Sequence, residues 1–336
     1  MSHAIPDDVS CPQCAIVLQD IAVLGRGDAP ASVREDAVAA DCMVSRWDAG
    51  SFVVSGAVGG GELLVYDSTG VFTRTIGSRG AGPGEFGAEV RVATSAADSL
   101  YALDLTHVRV TVFAPTGDYV RSFRAPDRVT DMALMRDGRF LFSVRPIAFG
   151  GSTLVLTAPD GARMSSFGQS TLRQFELDSH IVANANGHGF WTASRLRYEL
   201  QFWRTPTAPT RRLVREAEWF PAQESFPLGV PFERPPPPAL KQVRAEGAER
   251  LWIYVVVPSE AWEPGMSMEP YLEWARKTFD TIVEVVDLVD GTVVARARHD
   301  GMLGVVCDEN LIYTVDYDPE GDTQVTVWEP RLEGLQ

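Results

Sequence analysis

The chain repeats one plan along its length. The segments ELLVYDSTGVFTRTIG (62–77), RVTVFAPTGDYVRSFR (109–124) and TLVLTAPDGARMSSFG (153–168) each give an apolar strand, a turn ending in glycine and a second strand. Their turn glycines, Gly70, Gly117 and Gly161, stand 47 and 44 residues apart. A fainter copy is LQFWRTPTAPTRRLVR (200–215), and a fifth, IVEVVDLVDGTVVARAR (282–298), turns at Gly291. Asp, Thr and Gly between two alternating runs specify a β-hairpin. Two shorter strands precede each hairpin, as VRVAT (90–94) and SLYALD (99–104) do in the second copy. Four strands in roughly 45 residues is the period of a propeller blade.

A sixth unit ends one strand short: GVVCD (304–308), LIYTVD (311–316) and QVTVWEP (324–330). The unassigned run AIVLQDIAVLG (15–25) is expected to supply the missing outer strand and hide the open edges. The reading is therefore all-β: a six-bladed propeller of four-stranded antiparallel blades forming a single domain over 1–336. Its parts are a closing strand (15–25) and blades at 43–77, 90–124, 130–168, 181–216, 240–298 and 303–330. The fifth blade carries an insertion, 258–280, in which Met268, Tyr271, Leu272, Ala275 and Phe279 recur at helical spacing. Ser267 is the expected N-cap of that short helix.

The connection GSRGAGPGEFG (77–87) contains G-x-G-x-x-G, a dinucleotide-binding pattern. Its context argues against that use. Such a turn opens a helix, whereas AEVRVATSAADSLYALDL reads as two more strands, and Glu85 would set a carboxylate beside the phosphates. The glycines instead suit a tight connection between strands, with Phe86 buried between neighbouring units.

From here a family resemblance emerges. The stretch from Ile76 to Phe123 resembles an NHL repeat: Gly80, Gly82, Gly84 and Phe86, then Tyr101 and Asp104, then Arg109, Val110, Val112, Phe113 and Gly117. The usual Pro after the Phe is missing, since Gly87-Ala88-Glu89 stands there. The clear match covers the first two blades. The resemblance implies a six-bladed propeller of the exported bacterial type.

Composition limits the functions. A net charge of −15 disfavours nucleic acid and anionic membranes as partners. No apolar run is long enough for a transmembrane helix. The N-terminus MSHAIPDDVSCPQC lacks the basic and apolar parts of a signal peptide, which leaves the cytoplasm open beside the export that the resemblance implies. Of the cysteines Cys11, Cys14, Cys42 and Cys307, the first two form a C-x-x-C without a thioredoxin-like context or a second such pair, so a structural or idle pair is expected, bonded if the protein is exported, and not a zinc site. The scattered histidines show no paired spacing, and no metal or cofactor is expected.

Strand parity places the long connections on one face: those between second and third strands, and those between blades. Long loops on a rigid scaffold carry function. On that face the sequence sets Arg145, Arg195 and Arg197 just after second strands, His107 in DLTHV, and Trp262 in the insertion. These five are the candidate ligand-binding residues; arginine forks and a stacking indole suit an anionic or glycan-like partner. With no nucleophile motif present, the expectation is a monomeric, non-enzymatic binding propeller for a protein, peptide or glycan. The alternative is a metal-dependent propeller enzyme of the lactone hydrolase or lyase kind.

Overall fold

The computed structural model of the chain describes all residues except 1, 26–32, 36–42, 49, 56–59, 96, 98, 171–179, 185–188, 224–231, 307–308 and 336; for 2 and 180–184 it describes the backbone alone. It is a six-bladed propeller of four-stranded antiparallel sheets, all-β but for one helix among the described residues. The first blade runs Val44–Trp47, Ser51–Val54, Leu63–Tyr66, Phe72–Ile76, and the second Val90–Thr94, Leu100–Asp104, Arg109–Phe113, Tyr119–Arg124. The third is Val129–Leu134, Phe140–Val144, Leu154–Thr157, Arg163–Phe167, and the fourth His180–Asn184, Phe190–Ser194, Glu199–Trp203, Arg211–Arg215. The fifth is Ala239–Glu246, Arg250–Pro258, Phe279–Asp287, Thr292–His299. From the first blade to the fifth, neighbouring first strands adjoin one another, so these strands line the axis.

The sixth blade contains Gly304–Val305, Ile312–Tyr317 and Thr323–Glu333, and its outer strand is Ala15–Leu24, antiparallel to Thr323–Glu333. The expected closure is present. A further strand was not expected: Ser2–Ile5 adds to the outer edge of the fourth blade, parallel to Arg211–Arg215. Between these two strands the chain crosses the fifth blade, where Ser10 donates its backbone N–H to Val293 O at 2.7 Å. Cys11 and Cys14 are disulfide-bonded and pack against the core between the fifth and sixth blades. Cys42 and Cys307 lie outside the described residues.

Side chains alternate across each strand, so every blade contributes one apolar set to each neighbour. Between the first two blades lie Trp47, Val65, Phe86 and Phe113. Between the third and fourth lie, among the described residues, Ala133, Leu141, Leu154, Leu156, Phe167, Phe190 and Trp203. The Gly-rich connection forms a two-residue parallel ribbon, Ser78–Arg79 against Glu85–Phe86, with no helix after it. Gly77 has a positive φ, and a Cβ there would stand 2.5 Å from the Phe86 ring, so only glycine fits. The Glu85 carboxylate takes the Gly82 N–H at 2.7 Å, which occupies a donor that a phosphate would need.

The insertion helix is shorter than its stripe, Tyr271–Thr278. Ser267 is not its N-cap. Pro270 holds that position, while the Ser267 hydroxyl accepts the Glu269 N–H at 3.2 Å. Phe279 leaves the helix because it pairs with Pro258 at the start of the third strand. Trp274 is buried among Phe232, Tyr271 and Phe279, so the helix is packed down by an aromatic cluster.

Candidate functional site

The meander sets the five candidates on the face of the long connections, in different surroundings. Arg145 is exposed, next to Ile147 and Phe149, which are 82% and 66% exposed. Arg195 is half-buried and reaches inward, its Nη1 donating to Lys241 O on the innermost strand of the fifth blade at 3.3 Å. Arg197 lines two clefts on the fourth blade. His107 stands on the second blade with Nδ1 2.6 Å from the buried Asp104 carboxylate. Trp262 sits half-buried in the turn that opens the insertion, its backbone N–H bonded to Ser259 O. Among the described residues, no hydrogen bond or ring contact joins Trp262 to the three arginines.

The residues of the NHL-like motif hold the connection together. The Asp104 carboxylate accepts N–H groups from Gly87, Thr106 and His107 at 3.0–3.1 Å. Arg109 donates to Ala81 O at 2.7 Å, to Gly82 O at 3.0 Å and to Glu85 O. Asp104 thus serves as a loop carboxylate bonding backbone amides, while its hydrogen bond also fixes the His107 ring.

The fourth blade brings together what the sequence reading did not. Register pairs Thr192 with Gln201 and Gln201 with Arg212, so these three form one row across the sheet. Phe190 and Trp203, in the same strands, pack on the third blade, which shows that this side of the sheet faces it. Among the described residues, this junction leaves a space walled by polar groups beside Phe167, Trp203 and Pro206. It forms a cleft of 690 Å³ lined by Ser152 and Gln169 from the third blade and by Thr192, Ser194, Gln201 and Arg197 from the fourth. A second cleft of 630 Å³ adjoins it, and Arg197, Glu199 and Arg212 form walls of both.

Glu199 organises this wall. Arg212 grips its carboxylate with two hydrogen bonds of 2.6 Å, and Gln201 adds a third of 2.7 Å. Burial pushes the Glu199 carboxyl up, but the hydrogen bonds from Arg212 and Gln201 and the charges of Arg212 and Arg197 outweigh it, so its pKa lies below the ordinary value. The carboxylate is therefore ionised at neutral pH and the side chains around it are held in place.

The other junction of the fourth blade is sealed. Tyr198 donates to Glu284 at 2.6 Å, Arg215 bonds both Glu284 oxygens at 3.1 and 3.3 Å, and Arg296 adds a bond of 2.7 Å. Asp7 joins from the N-terminal segment through Arg215 and Arg296. Glu284 and the Arg215 side chain are fully buried. Strand alternation held a signal for both junctions, since Glu199 and Gln201 occupy one side of ELQFW, and Glu284 interrupts the apolar run IVEVV.

Among the described residues, no group of three or more His, Cys, Asp or Glu is placed to hold a metal ion, and no helix is long and apolar enough to cross a membrane. A family described as "6-bladed beta-propeller" matches residues 44–159, the first three blades in part. Among curated proteins none matches the chain. In solved structures the chain is similar to a member of the DUF4221 family from Bacteroides vulgatus, at 8% identity and a TM-score of 0.65, covering 96% of this chain and 99% of that one. It is also similar to virginiamycin B lyase from Staphylococcus aureus, at 10% identity and a TM-score of 0.46, covering 94% and 99%. A gluconolactonase from Xanthomonas campestris matches at 14% identity and a TM-score of 0.45, covering 94% and 100%. The first of these likenesses supports the fold. The other two are too loose to bear on chemistry.

Proposed function

We propose that this chain is a binding propeller that takes a polar ligand on its long-connection face, at the fourth blade. The observation that carries this reading is the opened junction between the third and fourth blades. There a 690 Å³ cleft, within the ~300–1,000 Å³ usual for small-ligand sites, is walled by side chains already locked by hydrogen bonds. Preorganised polar walls lower the ordering cost of binding. Arg197 is the expected anchor, because both clefts present it.

The test is calorimetric titration of the purified chain and of Arg197→Ala against panels of glycans and peptides. The wild type should bind members of one panel, and the variant should bind them about tenfold more weakly or worse, the loss expected for a charge-assisted hydrogen bond. Its melting temperature should stay unchanged. Equal binding by the variant, or no ligand from either panel, would overturn the reading.

One observation favours an enzyme instead. Asp104 holds the Nδ1 of His107 at 2.6 Å, while the imidazole remains 32% exposed on the same face, the arrangement of an oriented general base. On this second reading the chain is a metal-dependent hydrolase or lyase. Metal analysis and turnover of lactones, with loss of turnover in His107→Gln, would support it over the first.

A further inference from the structure

We infer that the cleft between the third and fourth blades is a saccharide site, an inference that rests on the binding reading and names its ligand. Its walls mix apolar groups, among them Phe167, Trp203 and Pro206, with a set of short polar side chains. Ser152 and Gln169 on one side and Thr192, Ser194 and Gln201 on the other offer hydroxyls and amides, groups that donate and accept at short spacing. A sugar ring makes the same demand, since each of its hydroxyls both donates and accepts. Peptide recognition asks for something else, an open apolar pocket for an anchoring side chain. The aromatic rings in this cleft do not offer one: Phe167 and Trp203 are only 8% and 5% exposed, and the Trp203 indole N–H is already given to Thr192 Oγ1 at 2.9 Å.

A second observation lies in the third-blade wall. Among the described residues, the hydroxyls of Thr153 and Ser170 are buried without a hydrogen-bond partner, in residues 0% and 2% exposed. Buried polar groups are nearly always paired, so orphans call for a partner that the protein itself does not provide. The two residues flank lining residues and are fixed by backbone bonds, with Ser170 N–H given to Gly151 O at 3.0 Å and Thr153 N–H to Gly168 O at 3.3 Å. Gly168 lines the cleft, and a Cβ at Gly168 would stand 2.6 Å from Thr153 Oγ1. Glycine at 168 therefore leaves room for this hydroxyl behind the wall of the cleft. Neither residue lines the cleft itself, so ordered water behind that wall would complete the pairing.

The cleft also holds cations. Arg197 and Arg212 share its wall with Glu199, and Arg212 spends its fork on that carboxylate. The guanidinium group matches carboxylates, so the class extends from neutral to uronic-acid-bearing saccharides.

The experiment is calorimetric titration of the full chain with short neutral and uronic-acid-containing oligosaccharides, beside a peptide panel. Ser152→Trp should plug the mouth and abolish saccharide binding. Ser194→Ala should weaken it about fivefold, the loss of one neutral hydrogen bond. Hydrogen exchange on adding the saccharide should slow at 150–152 and 192–201; this readout needs no variant, should Ser152→Trp fail to fold. Peptide binding that depends on Arg197, with no saccharide bound, would overturn the saccharide site and leave the binding reading standing. Saccharide binding that survives a folded Ser152→Trp, or protection confined to other blades, would also overturn it. If neither panel binds, both fall.

Discussion

Two buried tyrosines separate what a hydroxyl does when paired from what it does alone. Tyr66 is fully buried against Phe72, and its Oη has no partner among the described residues. Tyr198 is equally buried but donates to Glu284 at 2.6 Å. Tyr66→Phe should leave the melting temperature unchanged or raise it slightly, because it removes an unpaired polar atom. Tyr198→Phe should cost about 1.5–3 kcal/mol, the range for a hydrogen bond to a charged group. Alkali gives a second check. Burial pushes the Tyr66 phenol up to about 12 from 10.0, so the unfolded chain loses this proton first. Its contribution is complete below pH 10 and is lost as pH rises towards 12, and Tyr66→Phe should remove that part of the loss. At this scale the sequence was legible where partners are near in the chain: Asp104 and Arg109 stand in one motif with the connection they hold. For the polar wall of the cleft and the Glu284 cluster, alternation marked polar positions but not their partners. Tyr198 and Arg215 lie 86 and 69 positions from Glu284, and only the ring of blades brings them together.

At the level of elements, the first residues act as a strap over the rim of three blades. Ser2–Ile5 covers the edge of Arg211–Arg215, Ser10 bonds the outer strand of the fifth blade, and Ala15–Leu24 closes the sixth. These pieces carry unequal weight. Deleting residues 1–24 should abolish cooperative unfolding, since it strips the long strand Thr323–Glu333 of its partner and leaves an open edge. Deleting residues 1–8 should lower stability while the chain still folds: one short edge is exposed, and Arg215 and Arg296 lose Asp7 but keep Glu284. Thermal unfolding of both truncations decides it; a 1–24 deletion as stable as the 1–8 deletion would refute the ranking. The Cys11–Cys14 disulfide spans a sequence separation of 3, so its reduction should cost no more than about 2 kcal/mol on the loop-entropy model. The closing strand could be read because the sixth blade lacked a strand and 15–25 alternated without a place. Ser2–Ile5 could not be read, because SHAI is four residues long and shows no period. The insertion helix lost its last turn to the strand register at Phe279, a tertiary constraint absent from the helical stripe.

The whole molecule carries a net charge of −15, and mild acid relieves part of that self-repulsion while acting against particular buried groups. A plain stability curve mixes the two effects, so the useful quantity is a difference between variants that share the background. His299 is suited to this. It is half-buried beside the insertion helix, in a cleft it shares with Arg276, Asp300, Asp316 and Trp328. Burial lowers its pKa from 6.5, and the nearby charges of Asp300 and Asp280 offset this only in part. The folded state therefore favours neutral imidazole, and the unfolded chain takes up the proton first as pH falls. The sign follows: the contribution of His299 is complete above pH 6.5 and is lost as pH drops through that value towards the lower folded pKa. Asp7 behaves differently. Burial raises its pKa, but hydrogen bonds and charges from Arg215 and Arg296 bring it below 3.8, so its contribution persists through this range and fails only in stronger acid. Chemical denaturation from about pH 8 to about pH 5 should then show wild type losing stability relative to His299→Gln as pH falls below 6.5. The difference between wild type and Asp7→Asn should stay flat over the same range. A constant gap between wild type and His299→Gln would mean that this ring is hydrated in the folded protein and that the cleft beside the helix is open to water.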